Sequence, residues 1–95
     1  MEKELITIPR VTLDVYKSIA DGITTYEFDA TECSPPEPMV NTILVLDKIK
    51  TQNEQLIVTF FHEPTPLYER VASKFSYESI ELEDGNVQVT FKRKV

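Results

Sequence analysis

The sequence predicts a two-layer α/β sandwich, an α+β fold in which two helices cover one face of a four-stranded sheet with element order βαβαββ. Strand-like and helix-like segments alternate from residue 23 onward, a proline-rich corner precedes each helix, and a turn signal separates the last two strands. A chain of 95 residues is enough for one domain, so we divide it into an N-terminal extension, 1–22, and a domain, 23–95.

The predicted elements follow from the spacing of apolar residues and from the prolines. They are, in order, a strand over 24–29, a helix over 37–50, a strand over 55–61, a helix over 66–74 and a C-terminal hairpin. The second strand is almost continuously apolar, which is typical of a central strand covered on both faces. On the first helix, Asn41 falls on the polar side and is expected to face solvent. Because a helix joins the first two strands, we expect them to be parallel.

The C-terminal hairpin is predicted from Asp84-Gly85, taken as a two-residue turn. Counting outward from this turn sets Leu82 opposite Val87 and Ile80 opposite Val89. The same register places Ser79 on the other, polar face of the sheet, so one register satisfies both faces.

The N-terminal extension carries more apolar side chains than a solvated tail needs. We therefore expect residues 1–22 to cover an edge or the open face of the sheet, as a strand near 4–8 and a helix near 12–20. A homodimer interface is the competing cover for that face.

Composition and charge exclude several classes of protein. The formal net charge of −6 repels nucleic acid, and the basic cluster Lys92–Lys94 is short and lies at the chain end. No apolar run reaches the roughly 20 residues of a membrane span, and no secretory signal is evident. A single cysteine cannot form an internal disulfide. We therefore expect a cytoplasmic protein without a nucleic-acid or membrane partner.

The first proline corner carries a family resemblance. The run from Phe28-Asp29 to Pro36-Glu37-Pro38-Met39-Val40, followed by an apolar helix and an apolar strand, resembles the TusA/SirA-like superfamily of sulfur carriers. Members have a Cys-Pro-x-Pro motif at this corner and relay sulfur as a cysteine persulfide. The resemblance implies the βαβαββ order and a mixed sheet with one antiparallel strand. With Pro36-Glu37-Pro38 aligned on the motif, Pro35 stands where the cysteine of the family belongs, and Cys33 lies two residues earlier.

The sequence is more similar to a cysteine-less branch of that superfamily, made of small prokaryotic domains of unknown function. Corners of that branch resemble Ser34–Pro38 and Glu63–Tyr68 of this chain, and the branch shows the same C-terminal hairpin. The resemblance covers residues 23–94. It implies a scaffold without the sulfur-carrying cysteine and brings no activity or cofactor with it.

The two proline corners follow neighbouring parallel strands, so we expect them at the same edge of the sheet and predict that they form one binding surface. Its candidate residues are Glu32, Cys33, Pro36, Glu37, Pro38, His62, Glu63, Pro66 and Tyr68. The acids also act as helix-start residues, and they compete with any anionic ligand there. A protein partner or a small neutral or cationic ligand is therefore expected.

Three functions are consistent with these residues. The favoured one is a small, non-catalytic binding or accessory module without a cofactor. A sulfur carrier using Cys33 is the first alternative, because a helix N-terminus stabilises a thiolate, although Asp29, Glu32 and Glu37 oppose it. A metal-binding protein using His62 with Glu63 and Cys33 is the second, because these groups suit zinc or another divalent ion.

Overall fold

The computed structural model describes residues 3–94 and shows an α+β fold with two helices and one six-stranded mixed sheet. The elements are β1 (Glu4–Ile6), β2 (Val15–Ala20), β3 (Ile23–Asp29), α1 (Glu37–Leu46), β4 (Glu54–Phe60), α2 (Thr65–Val71), β5 (Phe75–Glu81) and β6 (Val87–Arg93). The strand order is β1-β2-β3-β4-β6-β5, in which β3 and β4 are parallel and the other neighbours are antiparallel. The predicted α/β class is confirmed, whereas the prediction of four strands is wrong.

The two additional strands come from the N-terminal segment. Residues 4–6 form a strand as expected, but the predicted helix near 12–20 is wrong, because Val15–Ala20 forms β2 and pairs with β3. Asp21 and Gly22 connect them with φ angles of 52° and 79°, the left-handed conformations of a two-residue hairpin turn. This hairpin covers the edge of the sheet beside β3. It leaves the open face uncovered.

The hydrophobic core lies on the helix-covered face of the sheet. Leu56 of β4 pairs with Phe91 of β6, and the next inward pair is Val58 with Val89; all four side chains are fully buried. Each such side chain contributes roughly 1.5–3 kcal/mol to the free energy of unfolding. Between them, Ile57 points to the opposite face and is only half-buried. The prediction that β4 is covered on both faces is therefore wrong.

Asn41 is also placed differently from the prediction. It is 1 % exposed, and its side chain joins α1 to the loop before β2. Its Oδ1 accepts from the Thr12 backbone N–H at 2.8 Å, and its Nδ2 donates to Thr12 Oγ1 and to the Glu37 carbonyl, each at 3.0 Å. The apolar spacing within α1 predicts that this side faces solvent. It contains no information about the N-terminal loop, which covers this side in the structure.

The C-terminal hairpin is confirmed, but its predicted register is wrong by one residue. Glu81 pairs with Val87 and Ser79 with Val89. The connection is a three-residue loop closed by Leu82 and Asn86: the Leu82 N–H donates to the Asn86 carbonyl at 2.8 Å, and Gly85 adopts a φ of 88°. The shift moves Ser79 to the face of the sheet that carries the helices and leaves Ile80 exposed on the open face.

The helices are short. Of the residues 3–94, no helical stretch has the length and apolar character of a membrane span.

Candidate functional site

The two proline corners meet at one edge of the sheet and enclose a cleft of about 320 Å³. The parallel register sets Asp29 of β3 opposite Thr59 of β4, and the Ala30 N–H donates to the Thr59 carbonyl at 2.8 Å. Each strand therefore ends at the same level before its corner leads into a helix. The expected approach of the two corners is present in the structure.

Six of the predicted site residues line this cleft. They are Cys33, Pro36, Pro38, His62, Glu63 and Pro66. The remaining three, Glu32, Glu37 and Tyr68, do not line it. The rest of the wall is largely apolar. Pro35, Pro64 and Leu67 fall within the two corners predicted as the binding surface, 32–38 and 62–68, whereas Ala30, Met39, Phe60 and Phe61 lie outside them. All of these residues lie at the end of β3 or β4 or at the start of α1 or α2. Their proximity in sequence to the proline corners is the signal that could have identified them.

The first corner is held by local hydrogen bonds of the Asp29 carboxylate and of its own backbone. Asp29 accepts from the Thr31 N–H at 2.8 Å and from its hydroxyl at 2.6 Å, an Asx turn that starts the corner. The Cys33 N–H donates to the Ala30 carbonyl at 3.3 Å. These bonds fix the path of the chain along the cleft wall.

Glu37 opens α1 and interacts with the N-terminal loop. Its carboxylate accepts a hydrogen bond from the Thr12 hydroxyl. Asn41 bonds both to the Glu37 carbonyl and to Thr12, so the start of α1 is tied to the loop that precedes β2. Glu37 does not line the cleft, but its negative charge affects the pKa of Cys33, which does.

Cys33 is half-buried and carries a free thiol. Burial raises its pKa, and the negative charge and hydrogen bond of Glu37 raise that pKa further, with smaller contributions from Asp29 and Glu32. A raised pKa means less thiolate at neutral pH, and the thiolate is the form that attacks sulfur and binds metals. The environment thus opposes the nucleophilic chemistry for which a helix N-terminus alone would prepare a cysteine.

Glu63 is held in the second corner by two hydroxyl groups. The Tyr68 hydroxyl donates to its Oε2 and the Ser79 hydroxyl to its Oε1, each at 3.0 Å. The ring of Tyr68 stacks on that of Tyr77, with centroids 3.9 Å apart and planes 4° apart. Burial, together with the hydrogen bond to Glu63, raises the pKa of Tyr68 to about 12, so the phenol remains a donor at physiological pH. We call Glu63, Tyr68 and Ser79 the carboxylate clamp.

His62 lies beside Phe61 in the cleft wall, with ring centroids 4.4 Å apart and planes tilted by 58°. Within residues 3–94, no group of three or more His, Cys, Asp or Glu side chains is arranged to hold a metal ion. The set His62, Glu63 and Cys33 named for the metal alternative therefore lines one cleft without forming a ligand cluster.

The cleft thus combines an apolar wall with few polar groups. Among the described residues that line it, none is lysine or arginine, and Glu63 contributes a carboxylate. Such a site can enclose an apolar body and favours a neutral or positively charged ligand over an anion.

Comparison with known proteins gives a family. A family model described as "Uncharacterized conserved protein (DUF2249)" matches residues 27–93, from within β3 to the end of β6, and this match includes both corners and both helices. No curated protein and no solved structure matches the chain. Because the family model covers well over half of the sequence, the chain belongs to the DUF2249 family of uncharacterized conserved proteins.

Proposed function

We propose that this protein is a small, non-catalytic binding module and that the cleft between its proline corners is the binding site. The observation that carries this proposal is the cleft itself, a single concavity of about 320 Å³ that is walled by both corners. Ligand sites in proteins are typically concave, about 300–1,000 Å³ in volume and mostly apolar with a few fixed polar groups. This cleft has those properties at the lower end of that size range, so a small ligand is its best occupant.

The construction of the corners supports binding. Proline fixes its own φ angle and restricts the residue before it, so the walls lose little conformational entropy when a ligand enters. Hydrogen bonds of Asp29 and Cys33 hold the first corner, and the carboxylate clamp holds the second. A site that is formed before the ligand arrives binds more tightly than one that must be ordered on binding.

We place the domain in the TusA/SirA-like superfamily as a member without the sulfur-carrying cysteine. Support comes from the βαβαββ order of β3 to β6 and from the two proline motifs in sequence. A sulfur carrier using Cys33 is the alternative favoured by one observation, namely that Cys33 lines the cleft. The raised pKa of the thiol favours the binding module. The single free cysteine also supports a cytoplasmic location.

The test is a titration of ¹⁵N-labelled protein with 3-phenylpropan-1-ol, a neutral probe with an apolar body. We expect saturable amide shifts at the two corners, with a Kd on the order of 1–10 mM for so small a ligand. Phe61→Ala should weaken this binding severalfold. Ile80→Ala is the matched control, because Phe61 is 60 % and Ile80 57 % exposed while only Phe61 lines the cleft. Shifts that do not saturate, or that spread over the open sheet face, would refute the proposal.

A further inference from the structure

We infer that the cleft receives an organic ammonium ion, whose apolar body lies between the proline corners and whose charged head binds the Glu63 carboxylate. This inference rests on the proposed function and adds the chemical class of the ligand. It is carried by the orientation of Glu63, by the charges around the cleft and by the rings beside it.

The orientation of Glu63 is fixed from two different elements. Tyr68 belongs to α2 and Ser79 to β5, and each hydroxyl donates to a different carboxylate oxygen at 3.0 Å. An ionised carboxylate has about four lone-pair positions, so two hydrogen bonds leave two positions for a ligand. Glu63 is also one of the residues that line the cleft, so its carboxylate lies within reach of the head group of a ligand bound there.

Negatively charged side chains around the cleft repel an anionic ligand. Of the residues 3–94, no lysine or arginine lies within ion-pair distance of Glu63, since the one ion pair found in that range joins Lys3 and Glu27 at 2.8 Å. Asp29, Glu32 and Glu37 add negative charge at the other corner, and after burial these charges are the next cause of the raised pKa of Cys33. Within the described residues, the Glu63 carboxylate therefore forms no ion pair that a cationic ligand would have to displace.

Two aromatic rings stand next to Glu63 in the wall. Phe61 and His62 present tilted rings 4.4 Å apart, and Phe61 is largely exposed. A cation over the face of a phenylalanine ring is attracted by the negative face of the ring. A carboxylate beside exposed rings is therefore a suitable place for an ammonium head whose stem is apolar.

The experiment compares three probes with the same body and different heads: 3-phenylpropylamine, 3-phenylpropan-1-ol and 3-phenylpropanoate. Dissociation constants are measured by ¹⁵N chemical-shift titration at pH 7. We expect the ammonium probe to bind about tenfold more tightly than the alcohol, a difference of about 1.4 kcal/mol, and the carboxylate probe to bind least. Equal affinity for amine and alcohol would overturn this inference and leave the proposed function intact. Failure of all three probes to bind would overturn both.

Three variants locate the preference. Glu63→Gln should bring the dissociation constants of the amine and the alcohol to within about twofold of each other, and saturable amide shifts with the alcohol show that the cleft is still folded. Tyr68→Phe removes one bond of the clamp and should reduce the preference partly, because Tyr68 is a positioning residue. Glu83→Gln, in the β5–β6 loop, changes the net charge by the same amount and should leave the preference unchanged. A preference retained in Glu63→Gln, or lost equally in Glu83→Gln, would refute the assignment to Glu63.

Discussion

Cys33 is the residue on which the choice between ligand binding and sulfur transfer depends. Its place in the corner that precedes α1 would by itself favour a thiolate. Burial and three neighbouring carboxylates act in the opposite direction and raise its pKa, with Glu37 as the strongest of the acids. The surrounding charges therefore decide the chemistry of this cysteine.

Alkylation of Cys33 tests this account. We expect the thiol to react with iodoacetamide more slowly at pH 7.5 than free cysteine does, with a rate that continues to rise above the ordinary cysteine pKa of about 8.5. Glu37→Gln removes a negative charge, so it should lower the pKa of the thiol and increase the rate severalfold. Intact-mass spectrometry follows the reaction, Cys33→Ser serves as the blank and Glu83→Gln as the charge control. A Cys33 that reacts faster than free cysteine would contradict this account and favour the sulfur-carrier alternative.

At the scale of elements, two Asp-Gly pairs show what the sequence could and could not predict. Asp84-Gly85 indicated a hairpin correctly, but only Gly85 has a positive φ, and the loop has three residues. Asp21-Gly22 forms the two-residue turn between β2 and β3 and was not recognised as a hairpin signal, although alternating residues flank it. A dipeptide predicts the presence of a turn more reliably than it predicts the loop length, because loop length depends on which strand faces are buried.

That difference in loop length explains why Ser79 escaped prediction as part of the candidate site. The predicted register put Ser79 on the polar face, whereas the observed pairing with Val89 puts it beside Glu63. The proline corners and the parallel strands were predictable, because local residues determine them. Of the carboxylate clamp, Glu63 and Tyr68 were predicted as site residues, whereas Ser79 was not, because its position depends on a register that is set far from the corner.

Gly22 provides the test at this scale. Its φ is 79°, and a Cβ added to it would meet nothing within 4 Å, so Gly22→Ala should cost only backbone strain. We expect a loss of about 1 kcal/mol in the free energy of unfolding, measured by urea denaturation. Gly22→Asn should cost less, because asparagine tolerates left-handed conformations. An alanine variant as stable as the parent would contradict the hairpin turn.

At the scale of the whole molecule, the N-terminal segment is part of the same sheet as the family region. The family match begins at residue 27, whereas the sheet begins at Glu4. Ile8 and Val15 from this segment are buried in the same core cluster as Phe28 and Leu56. The boundary drawn at residue 22 from the sequence falls within the β2–β3 hairpin.

Deletion of residues 1–22 should therefore destabilise the protein. Ile8 and Val15 are buried, and loss of their burial alone costs about 3–6 kcal/mol, a large part of the stability of a small domain. Thermal unfolding followed by circular dichroism measures the effect. Val15→Ser is the point variant expected to lower the melting temperature, because Val15 is 1 % exposed, and Tyr16→Ser, at a position 38 % exposed, is its control. If the deletion leaves the melting temperature unchanged, residues 1–22 do not contribute to the stability of the core.

The strand order has a kinetic consequence. Three of the five neighbouring pairs, β1–β2, β2–β3 and β5–β6, are hairpins. The pair β3–β4 is connected through α1, and β4–β6 is the one pair that skips a strand. These three pairings close over short stretches of polypeptide, which lowers the entropic barrier to their formation. We expect the hairpins to form before the two pairings that span a helix, and the N-terminal hairpins can pair before the C-terminal half leaves the ribosome.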